Sequence, residues 1–98
     1  MESDTLHLTT EVDPTGAVII AAEGYLDAEG GARLGREADA AVAAGHTHLL
    51  IDLEEVVLFN CAGAREMLAA LEELRQSGGH VDFVGVHPPL QRALHFSA

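Results

Sequence analysis

Polar and apolar positions alternate from Leu6 to Val12, with Leu6, Leu8, Thr10 and Val12 on one side. That period of two predicts a strand with one wet face. Asp13-Pro14-Thr15-Gly16 follows; Pro presets φ after Asp and Gly can take φ > 0, so a tight turn is expected. Residues 17–22 (Ala-Val-Ile-Ile-Ala-Ala) read as the return strand of a hairpin. Gly24-Tyr25-Leu26-Asp27 is expected to break that strand, with Asp27 as the N-cap of a helix over 28–44. Leu34, Ala38, Ala41 and Val42 share one face of this helix, and Gly45 ends it. Gly30, Gly31 and Gly35 predict a frayed or late start.

Residues 48–53 are nearly all apolar up to Asp52, as buried parallel strands tend to be. A short apolar stretch, 56–59, comes after the acidic step Glu54-Glu55. Asn60 is an N-cap candidate for a second helix, whose inner face carries Ala64, Met67, Leu68, Leu71 and Leu74 and which Gly78-Gly79 stops. Residues 81–86 predict another strand, and Pro88-Pro89 opens a last helix with Leu90, Ala93 and Leu94. The fold expected is α/β: a mixed sheet with a leading β-hairpin, helices packed on one face, and the order β-β-α-β-α-β-α in one domain over 1–98.

Charge narrows the partners. Sixteen acids against five bases, all arginine, give a net charge of −11. Such a chain repels phosphate backbones and anionic headgroups, so neither nucleic acid nor a membrane surface is expected as partner. The start, Met1-Glu2-Ser3-Asp4, is acidic and lacks a signal-peptide apolar region. No apolar run approaches the roughly 20 residues that span a bilayer. With a single cysteine, no internal disulfide can form. A cytoplasmic location is the expectation.

The element order, with a strand–turn–helix junction at its centre, resembles the STAS family, which includes the bacterial anti-sigma-factor antagonists. Gly24-Tyr25-Leu26-Asp27 is similar to the family's Gly-x-Leu-Asp ahead of the first helix, and 49–53 (Leu-Leu-Ile-Asp-Leu) to its central strand. Leu58-Phe59-Asn60-Cys61-Ala62-Gly63 stands where the family has a hydrophobic pair followed by Asp-Ser-Ser-Gly. Gly78-Gly79-His80-Val81 and Val84-Gly85-Val86-His87-Pro88 resemble the next helix end, strand and Pro-started helix. The family pattern usually continues into one more strand, whereas this sequence stops at Ala98.

The resemblance implies a regulatory protein-binding module and no enzyme. Its partner would be an anti-sigma factor that is also a GHKL-type serine kinase. In the family, that kinase phosphorylates the first serine of Asp-Ser-Ser-Gly, and the added charge releases it. The matching residues here, Asn60, Cys61 and Ala62, have no hydroxyl. Cys61 therefore occupies the phospho-acceptor position without its chemistry. The implied docking surface comprises Leu58, Phe59, Asn60, Cys61, Ala62, Gly63 and Arg65, with Tyr25 and Asp27 nearby.

Each of these residues also has a structural role to fill. Asn60 reads first as a helix cap, worth about 1 kcal/mol. Cys61 reads as a small, partly buried residue in the first turn; a redox-sensitive thiol is the sharper alternative. Tyr25 and Asp27 are equally readable as packing and cap, and Gly63 as a point of close approach. His46 and His48, two apart, are expected on the same face, with His7, His80, His87 and His95 scattered. Nothing has zinc-ligand spacing, and neither metal nor cofactor is expected. No catalytic constellation or phosphate-cradling loop is present. Other roles consistent with the resemblance are a self-assembling scaffold of the stressosome kind, a homodimer, or a STAS subunit of a lipid-transport ABC system.

Overall fold

The elements run β1 (Leu6–Val12), β2 (Val18–Leu26), α1 (Ala28–Ala43), β3 (His48–Phe59), α2 (Cys61–Gln76), β4 (His80–Val84) and α3 (Pro88–Ser97). They come from a computed structural model that describes residues 6–97, with side chains as far as 94. Met1-Glu2-Ser3-Asp4 and the side chain of His95 lie outside the described residues. The order is the one the sequence predicts.

The four strands form one sheet in the order β1-β2-β3-β4. β1 pairs antiparallel with β2, and Asp13 Oδ1 closes the hairpin by accepting from the backbone N–H groups of Thr15 (2.9 Å) and Ala17 (3.1 Å) and the Thr15 hydroxyl (2.6 Å). β2–β3 and β3–β4 are parallel, so α1 and α2 are crossover connections. Along the strands one face is sealed: Val18, Ile20, Ala22, Leu49, Ile51 and Leu53 are buried. They join Leu34 and Ala38 of α1, Met67, Leu71 and Leu74 of α2 and Leu90 of α3 in one apolar cluster. The alternate positions, such as Ile19, Leu50, Asp52 and Asp82, are half-buried or exposed, so the helices cover a single face.

Four expectations are corrected. Gly24 does not end β2. It takes φ +112°, and the β2–β3 register shifts around it, so the strand bends and continues to Leu26. The acidic pair Glu54-Glu55 does not interrupt β3, which is one strand of 12 residues. Each register shift adds one residue to β3 relative to β2: Ala21 and Glu23 face Asp52 and Glu55, and Gly24 and Tyr25 face Val56 and Leu58. Extra residues of this kind re-aim side chains without breaking a strand.

The start of α1 is the third. The helix begins at Ala28 directly after its cap, with Asp27 Oδ1 accepting from the Gly30 N–H at 2.8 Å. Gly30, Gly31 and Gly35 are buried. A Cβ on Gly31 would lie 2.5 Å from the Gly63 carbonyl oxygen, and one on Gly35 2.6 Å from the Ala70 methyl. Gly31 lets α1 meet the backbone of α2, Gly35 makes room for the Ala70 methyl, and Gly30 lies against Leu6 of β1; that packing outweighs the loss of helix propensity, about 1 kcal/mol each. β4 also ends two residues earlier than expected, at Val84, where Gly85 turns at φ +70°.

Candidate functional site

The end of β3 and the first turn of α2 meet the end of β2 in one corner. Tyr25 and Leu26 of β2 pair with Leu58 and Phe59 of β3. The Asn60 N–H donates to the Leu26 carbonyl (3.1 Å), carrying the ladder one residue past the strand. Asn60 then opens the helix: at φ −118°, ψ 168° its Oδ1 accepts from the Gly63 N–H at 2.7 Å. Its other side-chain atom, Nδ2, donates to the Tyr25 hydroxyl at 3.0 Å. One side chain thus satisfies an orphan helix donor and ties the helix to the neighbouring strand.

Gly63 is buried because nothing larger fits: a Cβ there would lie 2.2 Å from the Leu26 carbonyl oxygen and 2.8 Å from the Asp27 carbonyl carbon. Asp27, the cap of α1, is therefore packed against the first turn of α2. The expected roles of Asn60 as cap, Asp27 as cap and Gly63 as close approach all hold in the geometry.

Around this rigid seam lies an open surface. Val57 is 73% and Leu58 63% exposed, the two most exposed large apolar side chains among the described residues. Asn60, Cys61, Ala62 and Arg65 are exposed, Phe59, Tyr25 and Asp27 half-buried. Cys61 is a free, exposed thiol rather than the partly buried filler expected. As the first residue of α2 it points away from the apolar stripe that begins at Ala64 and Met67, which is why no core contact claims it. Glu54 and Glu55, both exposed, border the patch. Behind them His87 Nε2 lies 2.8 Å from the Glu54 carbonyl oxygen, linking the lead-in of α3 to β3.

Val57 belongs to this surface and was missed in the sequence. Its signal was present in the run Val56-Val57-Leu58-Phe59, which has more apolar residues than one buried face can take; only Val56 is fully inside, at 4% exposure. The histidines also depart from expectation. His46 does not accompany His48 but lies with Nδ1 3.3 Å from the Gly16 carbonyl oxygen. His48 instead meets His80 and Asp82 of β4, at the end of β3 remote from Asn60.

Several solved structures share the fold. An anti-sigma factor antagonist from Mycobacterium paratuberculosis is 25% identical over 98% of this chain and 80% of its own, with a TM-score of 0.72. SpoIIAA, a Bacillus cell fate determinant, in its phosphorylated form is 19% identical over 94% and 84%, with a TM-score of 0.73. An antisigma-factor antagonist STAS domain from Rhodobacter sphaeroides is 21% identical over 85% and 90%, with a TM-score of 0.63. No curated protein sequence is significantly similar. No helix among the described residues is long and apolar enough to cross a membrane. The family model described as "Mlab, STAS domain" matches residues 9–98, and the chain belongs to the STAS domain family.

Proposed function

We propose that this chain is a non-enzymatic regulatory module that acts by binding another protein, as anti-sigma-factor antagonists do, and that its partner is an anti-sigma factor of the GHKL serine-kinase type. The STAS fold of the anti-sigma-factor-antagonist kind supports a regulatory protein-binding role. The observation that carries the proposal is the exposure of Val57 and Leu58 beside the exposed first turn of α2. Two large apolar side chains held out by a rigid, capped strand–helix corner suit the desolvated centre of an interface. A standard interface would cover roughly 800 Å² here.

The second element is the missing switch. A phosphate on the first turn of a helix is locally favoured by the exposed N–H groups, yet in an apolar contact it disrupts. SpoIIAA has been solved both unphosphorylated and phosphorylated. Residues 60–62 here have no hydroxyl to accept the group, so binding through this corner is not released by phosphorylation there. The same feature favours a second reading, a STAS subunit held constitutively on the ATPase of a lipid-transport ABC system through this corner.

One experiment addresses both. Cys61 is the only cysteine and is exposed, so a thiol-anchored photo-cross-linker can be placed on it alone. Cross-linking in lysate of the source cell and mass spectrometry should return a kinase-fold sigma regulator. Capture of a transporter ATPase would replace the first reading by the second, and a linker that reaches no protein would reject both.

A further inference from the structure

At the far end of β3 from that corner, three metal-ligating side chains converge that belong to no role described so far. His48 and His80 are register partners on adjacent parallel strands, and Leu50 pairs with Asp82 in the next same-face step. Strands about 4.8 Å apart and a side-chain period of two put all three residues on one face, the one the helices leave open. One donor atom from each lies within 4.8 Å of the other two. Asp82 Oδ2 is 3.2 Å from His48 Nε2 and 3.5 Å from His80 Nε2, and the rings meet edge to face with centroids 4.8 Å apart.

We infer that His48, His80 and Asp82 form a binding site for a divalent transition-metal ion of the zinc type. Zinc bonds of about 2.0–2.2 Å to nitrogen and oxygen at a tetrahedral angle require donors about 3.3–3.5 Å apart. The two carboxylate–imidazole distances, 3.2 and 3.5 Å, lie within about 0.1 Å of that range. The imidazole pair closes the rest by side-chain rotation, which half-open surroundings permit: the side chains of His48, His80 and Asp82 are 49%, 69% and 52% exposed. Two imidazoles and one carboxylate are a borderline donor set that favours zinc over calcium or magnesium, which prefer oxygen alone. Three protein ligands leave a coordination position for water or for a donor from another molecule. The strands hold the three Cβ positions in place before any ion arrives, and the His80 N–H donates to the Thr47 carbonyl at 2.7 Å, fixing the entry of β4 beside His48.

The test uses tag-free, chelator-treated full chain and zinc ions alone, followed by calorimetry and by NMR of the imidazole nitrogens. One saturable site is expected, with His48 and His80 resonances shifting together. His80→Ala and Asp82→Asn should each weaken binding at least about tenfold, while Cys61→Ser leaves it unchanged. These surface variants should keep the wild-type circular dichroism. No saturation at about 1 mM zinc, equal affinity in the His48→Ala, His80→Ala double variant, or loss of binding in Cys61→Ser would each overturn the assignment and leave a hydrogen-bonded His–Asp cluster only.

Discussion

Asn60 donates through Nδ2 to the Tyr25 hydroxyl at 3.0 Å while its Oδ1 accepts from the Gly63 N–H at 2.7 Å. The two bonds have different weights. The cap bond serves a partly buried helix donor; the tyrosine bond is exposed and competes with water. Asn60→Ala, which removes both, should cost about 1–2 kcal/mol in urea unfolding. Tyr25→Phe should cost about 0.5 kcal/mol or less. Asn60→Asp keeps the cap oxygen and lets the tyrosine hydroxyl donate instead, so it should stay within about 0.5 kcal/mol of wild type. A Tyr25→Phe loss equal to that of Asn60→Ala would show that the cap is not the main term.

Close approach at Gly63 makes a stronger claim. Gly63→Ala puts a methyl 2.2 Å from the Leu26 carbonyl oxygen, and both atoms sit in rigid backbone. The corner must open, at a cost of about 3 kcal/mol or more, the upper end of overpacking. Gly45→Ala is the control: its φ is +105° but nothing lies within 4 Å, so it pays only the backbone strain of about 1–2 kcal/mol. Thermal melting should rank Gly63→Ala well below Gly45→Ala. The reverse order would remove steric contact as the reason for a glycine at 63.

What could be read from the sequence, and what could not, divides along the range of the interaction. Caps, turns and periodic faces are local, and Asp27, Asn60, the 13–16 turn and, except for the half-buried Leu68, the α2 stripe lie where the residues put them. Helix α1 was misjudged because its glycines look like local weakness, whereas their role is set by Gly63 and Ala70, residues distant in sequence that propensity does not see. The continuity of β2 and β3 was hidden for a similar reason: each register shift is a property of the pair, and neither strand alone records it. The strand–helix junction at residues 58–65 was legible through its family pattern. Val57 beside it was not, since its exposure follows from the register shift. The cluster of His48 and Asp82, 34 positions apart, depends on β3–β4 register and escaped any search for ligand spacing along the chain.

The hairpin turn supplies a pH-dependent prediction. Asp13 is held below its ordinary value of 3.8, first by the hydrogen bond from the Thr15 hydroxyl and then by backbone N–H groups at Thr15, Ala17 and Gly16. A carboxyl whose value is lower folded than unfolded stabilises the fold in its ionised form. That contribution is complete above the unfolded value and disappears as pH falls through the folded one. Carbon-13 NMR titration of the Asp13 carboxyl should therefore show an acid-shifted midpoint, and Thr15→Val should move it upward toward 3.8. An unmoved midpoint in Thr15→Val would assign the shift to the backbone bonds.

The proposed docking surface can be tested without disturbing the fold. Cys61 is the first residue of α2 and exposed, a position where an added carboxylate faces the positive end of the helix and is neutral or mildly stabilising, by about 0.3–1 kcal/mol. Cys61→Asp should therefore unfold no earlier than wild type. In an interface the same charge must be desolvated next to Leu58, so affinity for the partner captured at Cys61 should fall at least about tenfold, equivalent to about 1.4 kcal/mol. Leu58→Asp, which also removes an apolar anchor, should lose more. Because Cys61→Asp keeps stability at or above wild type while affinity falls, its loss of binding cannot be blamed on unfolding. Wild-type affinity in both variants would place the partner's footprint elsewhere on the molecule.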